Sequence, residues 1–168
     1  NIPLEETLRG MEKLVAQGKI RSWGVSNFDS DDMEELWAEE GGFSCATNQV
    51  LYHLASRGIE HTLLPLCQQR AMPVMAYCPL AQAGRLRQAL FDNAQLLALA
   101  RDKQISVAQL LLSWAIRHEG LIAIPKAGSV AHVQENAAAL NITLSAEEIA
   151  LLDQLFPAPQ QRVPLDVV

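Results

Sequence analysis

"WGVSNF", residues 23–28, changes character halfway along. Trp23, Gly24 and Val25 complete an apolar run, and Ser26 and Asn27 then place a hydroxyl and a carboxamide where the run stops. A short apolar run between helical patterns reads as a strand. One polar tip is explained by the turn preferences of Ser and Asn. The same arrangement at every strand end would not be.

Upstream, "LEETLRGMEKLVAQGKI" (4–20) sets Leu4, Leu8, Met11, Leu14 and Val15 on one helical face, with Gly18 as the stop. Downstream, a helix is predicted from about Ser30, with Met33, Leu36 and Trp37 inward. "CATNQ" (45–49) reads as a strand and "YHLASRGIE" (52–60) as a loop. The next helix is predicted to start near Leu64, because Pro65 is tolerated at the first helical position but not deeper. "PVMAY" (73–77) is the third strand and "LIAI" (121–124) the fourth. Two helices are predicted between them, "NAQLLALARDK" (93–103) and "SVAQLLLSWAIRH" (106–118), the second opened by a capping box of Ser106 and Gln109. "SVAHVQENAAAL" (129–140) and "SAEEIALLDQLF" (145–156) follow, the latter with a box from Ser145 and Glu148. The tail 157–168, "PAPQQRVPLDVV", carries three prolines and is predicted irregular.

Short apolar strands alternating with helices predict an α/β fold with a parallel sheet. The 168 residues, 49% of them apolar, suit one domain with its own core. No GxGxxG follows a strand, so the doubly wound dinucleotide fingerprint is missing. A net charge of -6 argues against a nucleic-acid partner. The three cysteines lack CxxC spacing, which fits reduced thiols in a cytoplasmic protein rather than disulfides or a metal site. No stretch approaches the roughly 20 apolar residues that span a bilayer, and no signal-peptide pattern opens the sequence. The sequence opens on Asn1 rather than Met, and a longer parent chain is expected.

All four strand ends are decorated. Ser26 and Asn27 end the first, and Asn48 and Gln49 the second. "AYCPLAQAG" (76–84) brings Tyr77, Cys78 and Gln82 to the third, and "IPKAGS" (124–129) brings Lys126 and Ser129 to the fourth. In parallel α/β folds the carboxyl ends of the strands are where ligands sit. Side-chain amides and a hydroxyl suit a carboxamide, a strand-end Tyr suits a flat ring, and a Lys before a helix start suits a phosphate. Together they describe a nicotinamide nucleotide.

"GKIRSWGVSNF" (18–28), "TNQVLYHLASRGIE" (47–60), "PVMAYCPLAQAG" (73–84) and "IPKAGSVAHVQEN" (124–136) resemble successive motifs of the aldo-keto reductases. The resemblance implies a (β/α)8 barrel of TIM type, of which residues 1–168 cover about the C-terminal half, units five to eight. It also implies reduction of a small aldehyde or ketone by NADPH, with NADH as the alternative. By the same resemblance Ser26, Asn27 and Gln49 bind the nicotinamide carboxamide, and Tyr77 stacks on its ring. Cys78, Leu80 and Gln82 line the pyrophosphate. Lys126, Ser129 and His132 attend the 2′-phosphate, with Glu135 and Asn136 near the adenine. Cys78 stands where many members carry Ser, and His132 where many carry Arg.

The family's catalytic Asp, Tyr, Lys and His belong to the first four units and have no positions here, so no catalytic residue is assigned. Tyr52, His53, Tyr77 and Lys126 lie outside any such motif. An inert nucleotide-binding half-barrel or an auxiliary subunit is the alternative reading. An isolated half-barrel is expected to self-associate through its open strand edges. Other features have ordinary readings. Trp37 and Trp114 are core, His53 and His61 structural, Cys45 and Cys67 buried, and Asp31, Asp32, Glu34 and Glu35 a solvated helix start.

Overall fold

The computed structural model describes residues 2–168. Its helices are α1 (Leu4–Ala16), α2 (Ser30–Ala38), α3 (Leu63–Gln69), α4 (Arg85–Phe91), α5 (Ala94–Asp102), α6 (Val107–Ala115), α7 (Val130–Ala138) and α8 (Ala146–Leu155). The strands are β1 (Trp23–Ser26), β2 (Cys45–Leu51), β3 (Val74–Tyr77) and β4 (Leu121–Ala123). They form one parallel sheet in sequential order, β1-β2-β3-β4. Right-handed crossovers repeated in one direction put every connecting helix on the same face of the sheet.

Burial follows that geometry. Val25, Asn48, Val74 and Leu121 share a row beneath the helices, where Asn48 and Val74 are inaccessible to solvent. The next row, Ser26, Gln49, Met75 and Ile122, points to the opposite face, and Ile122 there is 44% exposed. Gly24 lies at the register shift between Trp23 and Val25, where a Cβ would meet Thr47 O at 2.6 Å. Only glycine lets the two backbones approach so closely.

Helix ends follow local chemistry. Gly18 takes φ 67, with Gly18 N–H bonding Val15 O and Lys19 N–H bonding Leu14 O, a Schellman stop for α1. Both predicted capping boxes form, at Ser106 with Gln109 and at Ser145 with Glu148. A third, Asp29 with Asp32, opens α2. Three predicted boundaries need correction. The β3–β4 crossover holds three helices rather than two, because Arg85–Phe91 is helical as well. Helix α3 begins at Leu63, so Pro65 sits deeper in its first turn than expected. Residues 52–60 are not a plain loop, since Gly58–Glu60 closes a 3₁₀ turn.

That segment is clasped to the rest of the chain. Glu60 accepts from Tyr52 Oη at 2.6 Å, from Arg57 Nη2 at 2.8 Å and from Arg117 Nη2 at 2.9 Å. Arg57 also pairs with Asp153 of α8 at 2.8 Å. Beneath them the Trp114 ring stacks on Tyr52 at 5.2 Å and carries the Arg117 guanidinium at 3.8 Å. Trp37 and Trp114 are core, as predicted. The tail forms no helix or strand but is tied down: Arg162 pairs with Asp29 and Asp31, and Ser56 donates to Asp166. Asp31 is therefore ion-paired rather than merely solvated. No helix is long and apolar enough to cross a membrane, and no metal-binding group of His, Cys, Asp or Glu occurs among the described residues.

Candidate functional site

The carboxyl ends of the strands meet in a hydrogen-bonded cluster. Ser26 and Gln49 are register partners, and Ser26 Oγ donates to Gln49 O at 2.9 Å. Gln49 Nε2 in turn contacts Met75 Sδ at 3.3 Å, and Tyr77 Oη donates to Asn27 Oδ1 at 3.2 Å. Asn27 adopts φ 57, and its backbone N–H donates to Gln49 O at 2.9 Å. Asn tolerates this left-handed conformation better than most residues.

Asn48 works from behind. It is inaccessible to solvent, and its Nδ2 donates to Phe28 O at 2.7 Å, fixing the turn that presents Asn27. The sequence places Asn48 at a strand tip, but strand alternation turns it toward the helices. Its role is to hold the turn.

Past β3 the chain turns sharply, with Cys78 at φ 49 and Ala81 at φ 60. Left-handed non-glycine residues carry strain and gather at ligand sites. A hollow of about 350 Å³ opens here, lined by Cys78, Leu80, Gln82, Arg87, Ile124 and Lys126. A second hollow of about 370 Å³ is lined by Arg87, Phe91, Lys126, His132, Glu135 and Asn136. Leu80, Arg87 and Lys126 border both, so the two hollows adjoin. Ser129 caps α7, its Oγ accepting from His132 N–H at 3.2 Å, which leaves the hydroxyl hydrogen free to donate. A larger space of about 620 Å³ lies beside β4, lined mainly by apolar groups such as Leu112, Ile116 and Leu140 and touching the two hollows at Pro125 and Asn136.

Every predicted site residue thus falls at the tip cluster, in the two hollows or at the α7 cap. The sequence reading missed Arg87. The signal was a second cation in "GRLRQALF" (84–91), but only the fold brings it to the hollows that Lys126 lines. Other candidate acids are engaged elsewhere. Tyr52 is inaccessible, and its hydroxyl is pushed well above its usual range by burial. His53 is buried, its pKa lowered by that burial, and its Nδ1 accepts from Ala55 N–H at 3.2 Å.

The family model described as "Aldo/keto reductase family" matches residues 1–156. The chain belongs to the aldo/keto reductase family. Methylglyoxal reductase YeaE of Escherichia coli (strain K12) is 62% identical over 164 residues, covering 98% of this chain and 58% of that protein. Glyoxal reductase of Bacillus subtilis (strain 168) is 34% identical over 151 residues, covering 90% of this chain and 51% of its own length. A crystal structure of an aldo/keto reductase from Klebsiella pneumoniae, in complex with NADP and acetate, is 63% identical and superposes with a TM-score of 0.97. That match takes in 100% of this chain and 59% of the Klebsiella chain. The fold is therefore α/β and of the TIM-barrel type of this family. The chain spans little more than half the length of the relatives it matches.

Proposed function

We propose that this chain supplies the cofactor-binding half, units five to eight, of an aldo-keto reductase barrel that uses NADPH to reduce a small carbonyl compound. One domain, residues 1–168 with 157–168 as its tail, carries that role. The observation that supports the reading best is that the polar cluster at the strand tips runs, through Tyr77 and Cys78, directly into two joined hollows bordered by Lys126.

The donor set fits the nucleotide. Ser26 and Gln49 offer acceptors and Asn27 a donor to a carboxamide, and Tyr77 offers a ring face to the nicotinamide. Cys78, Leu80 and Gln82 face the pyrophosphate. Lys126, Ser129 and the α7 N-terminus suit the 2′-phosphate, with His132, Glu135 and Asn136 around the adenosine. NADPH, when bound, supplies the hydride. The chain's own residues orient the nicotinamide and neutralise phosphate charge. The names of the relatives favour a small dicarbonyl such as methylglyoxal as substrate of the whole barrel.

We assign no catalytic residue to this chain. Strands β1 and β4 each leave one edge unpaired, and Ile122 and Ile124 are exposed on the open face. Such edges invite pairing, so the 168-residue chain alone should self-associate in sedimentation.

The test is nucleotide binding by fluorescence titration. Saturable NADPH binding that weakens strongly with Lys126→Ala supports the reading. Absence of binding to the intact protein, or a Lys126→Ala protein that binds as well as the parent, would refute it.

A further inference from the structure

Arg87 is the group at this site that neither motif nor resemblance assigns. It projects from α4 and borders both hollows. Its Nη1 donates to Leu80 O at 2.9 Å, and its guanidinium carbon lies 4.4 Å from the centre of the Phe91 ring. Phe91 borders the second hollow and not the first, so the guanidinium is held on the adenosine side. A guanidinium carries five N–H donors in a planar fork, and the bond to Leu80 uses one.

The charge around it is also informative. Among the described residues no ion pair involves Arg87 or Lys126, and of the lysines and arginines without one these two alone line the hollows. Glu135 brings one negative charge to the second hollow, against two cations. On a chain of net charge -6, two cations without carboxylate partners facing one cavity mark a place for an anion. Apolar walls from Phe91, Leu97 and Val107 suit a purine beside it.

We propose that Arg87 and Lys126 form a two-cation clamp on a phosphate borne by the ribose of an adenine nucleotide, with Arg87 as a determinant of the choice between phosphorylated and unphosphorylated ribose. The proposal rests on the cofactor reading above. Arg87 supplies a planar, forked contact and Lys126 a point charge, a division that suits the two residue types. The Phe91 ring holds the guanidinium in place before the ligand arrives, which lowers the ordering cost of binding.

Calorimetry with NADPH, NADH and adenosine 2′,5′-bisphosphate tests it on the intact protein. Arg87→Ala should weaken NADPH and the bisphosphate by roughly tenfold or more and NADH by no more than about twofold, as expected for one charge-assisted contact. Arg87→Lys should fall between, and it supplies the same comparison should the alanine variant fail to fold. Equal losses for NADPH and NADH would show that Arg87 serves the pyrophosphate and would overturn the clamp. Unchanged affinities would show that Arg87 only packs on Phe91, and the clamp would fall in that case too. If Lys126→Ala weakens NADPH selectively while Arg87→Ala does not, the cofactor reading survives and the clamp fails. If the unsubstituted protein binds neither nucleotide, both fail together.

Discussion

The hydroxyl of Tyr77 reaches across β2 to the side-chain oxygen of Asn27, 3.2 Å away, so the tips of β3 and β1 are joined over the strand between them. This bond sets the tilt of the Tyr77 ring and leaves the Asn27 amide nitrogen free to donate. Tyr77→Phe keeps the ring and deletes the bond. It should lower stability by about 1 kcal/mol or less and leave NADPH affinity nearly unchanged. Tyr77→Ala removes the flat surface itself and should weaken NADPH roughly tenfold, the order of one lost stacking contact. Fluorescence titration of both variants checks this, and equal losses would argue against stacking.

The three thiols should differ in reactivity. Cys45 and Cys67 are buried, whereas Cys78 is partly exposed at the first hollow. Burial, with a smaller contribution from neighbouring Cys45, pushes the Cys67 thiol up to about 12. Burial likewise raises Cys45. Only thiolates react readily. A maleimide at neutral pH should therefore label Cys78 alone in the folded protein, and saturating NADPH should slow the labelling. Mass spectrometry reads both results, and labelling of Cys67 before unfolding would contradict the packing.

Glu60 gives a pH dependence whose sign is fixed. Burial by itself would raise its pKa, but bonds from Arg57, Tyr52 and Arg117 outweigh it and hold the carboxyl below its ordinary value of 4.5. The unfolded chain then binds the proton more readily than the folded one. The stabilisation is complete above pH 4.5 and is lost as pH falls through the lower folded value. Glu60→Gln should flatten this part of the acid limb and lower stability at neutral pH by about 3 kcal/mol, as expected for breaking a buried ion cluster. Urea unfolding from pH 7 down to about pH 3 measures both effects.

A stabilising change is also available. Gln104 occupies the left-handed position after α5 at φ 57, with its N–H on Arg101 O and the Ile105 N–H on Ala100 O. Glycine is the usual residue in this motif. Gln104 is exposed, so its side chain contributes little packing. Gln104→Gly should raise stability by about 1 kcal/mol, or roughly 2–4 °C in Tm for a domain of this size. An unchanged or lower Tm in calorimetry would show that unfolded-chain entropy dominates.

Local signals make much of the fold legible in the sequence; distant contacts leave no such trace. Ser106 with Gln109 and Ser145 with Glu148 announce their helices because a cap needs residues only three apart. The Asp29 and Asp32 box is harder to see because Asp replaces the expected Glu or Gln at its third position. Helix α4 lacks a side-chain cap at Gly84, so nothing local marks its start. The strand-tip residues are legible because parallel α/β folds bring strand ends together whatever the loops do. Whether Asn48 faces the ligand or the helices depends on register across β1, β2 and β3. Arg87 comes to line the same hollows as Lys126 only through tertiary packing.

The sequential order of the sheet has a consequence for how the chain is made. Each strand pairs with the one synthesised just before it, so every crossover can dock on a surface already formed as the nascent polypeptide leaves the ribosome. Growth by such short-range additions keeps the loop-closure penalty of each step small. The Arg57–Asp153 and Ser56–Asp166 bonds are the opposite case, joining residues 96 and 110 positions apart. They can close only after translation has passed α8 and the tail, later than any strand pairing in the sheet has to wait.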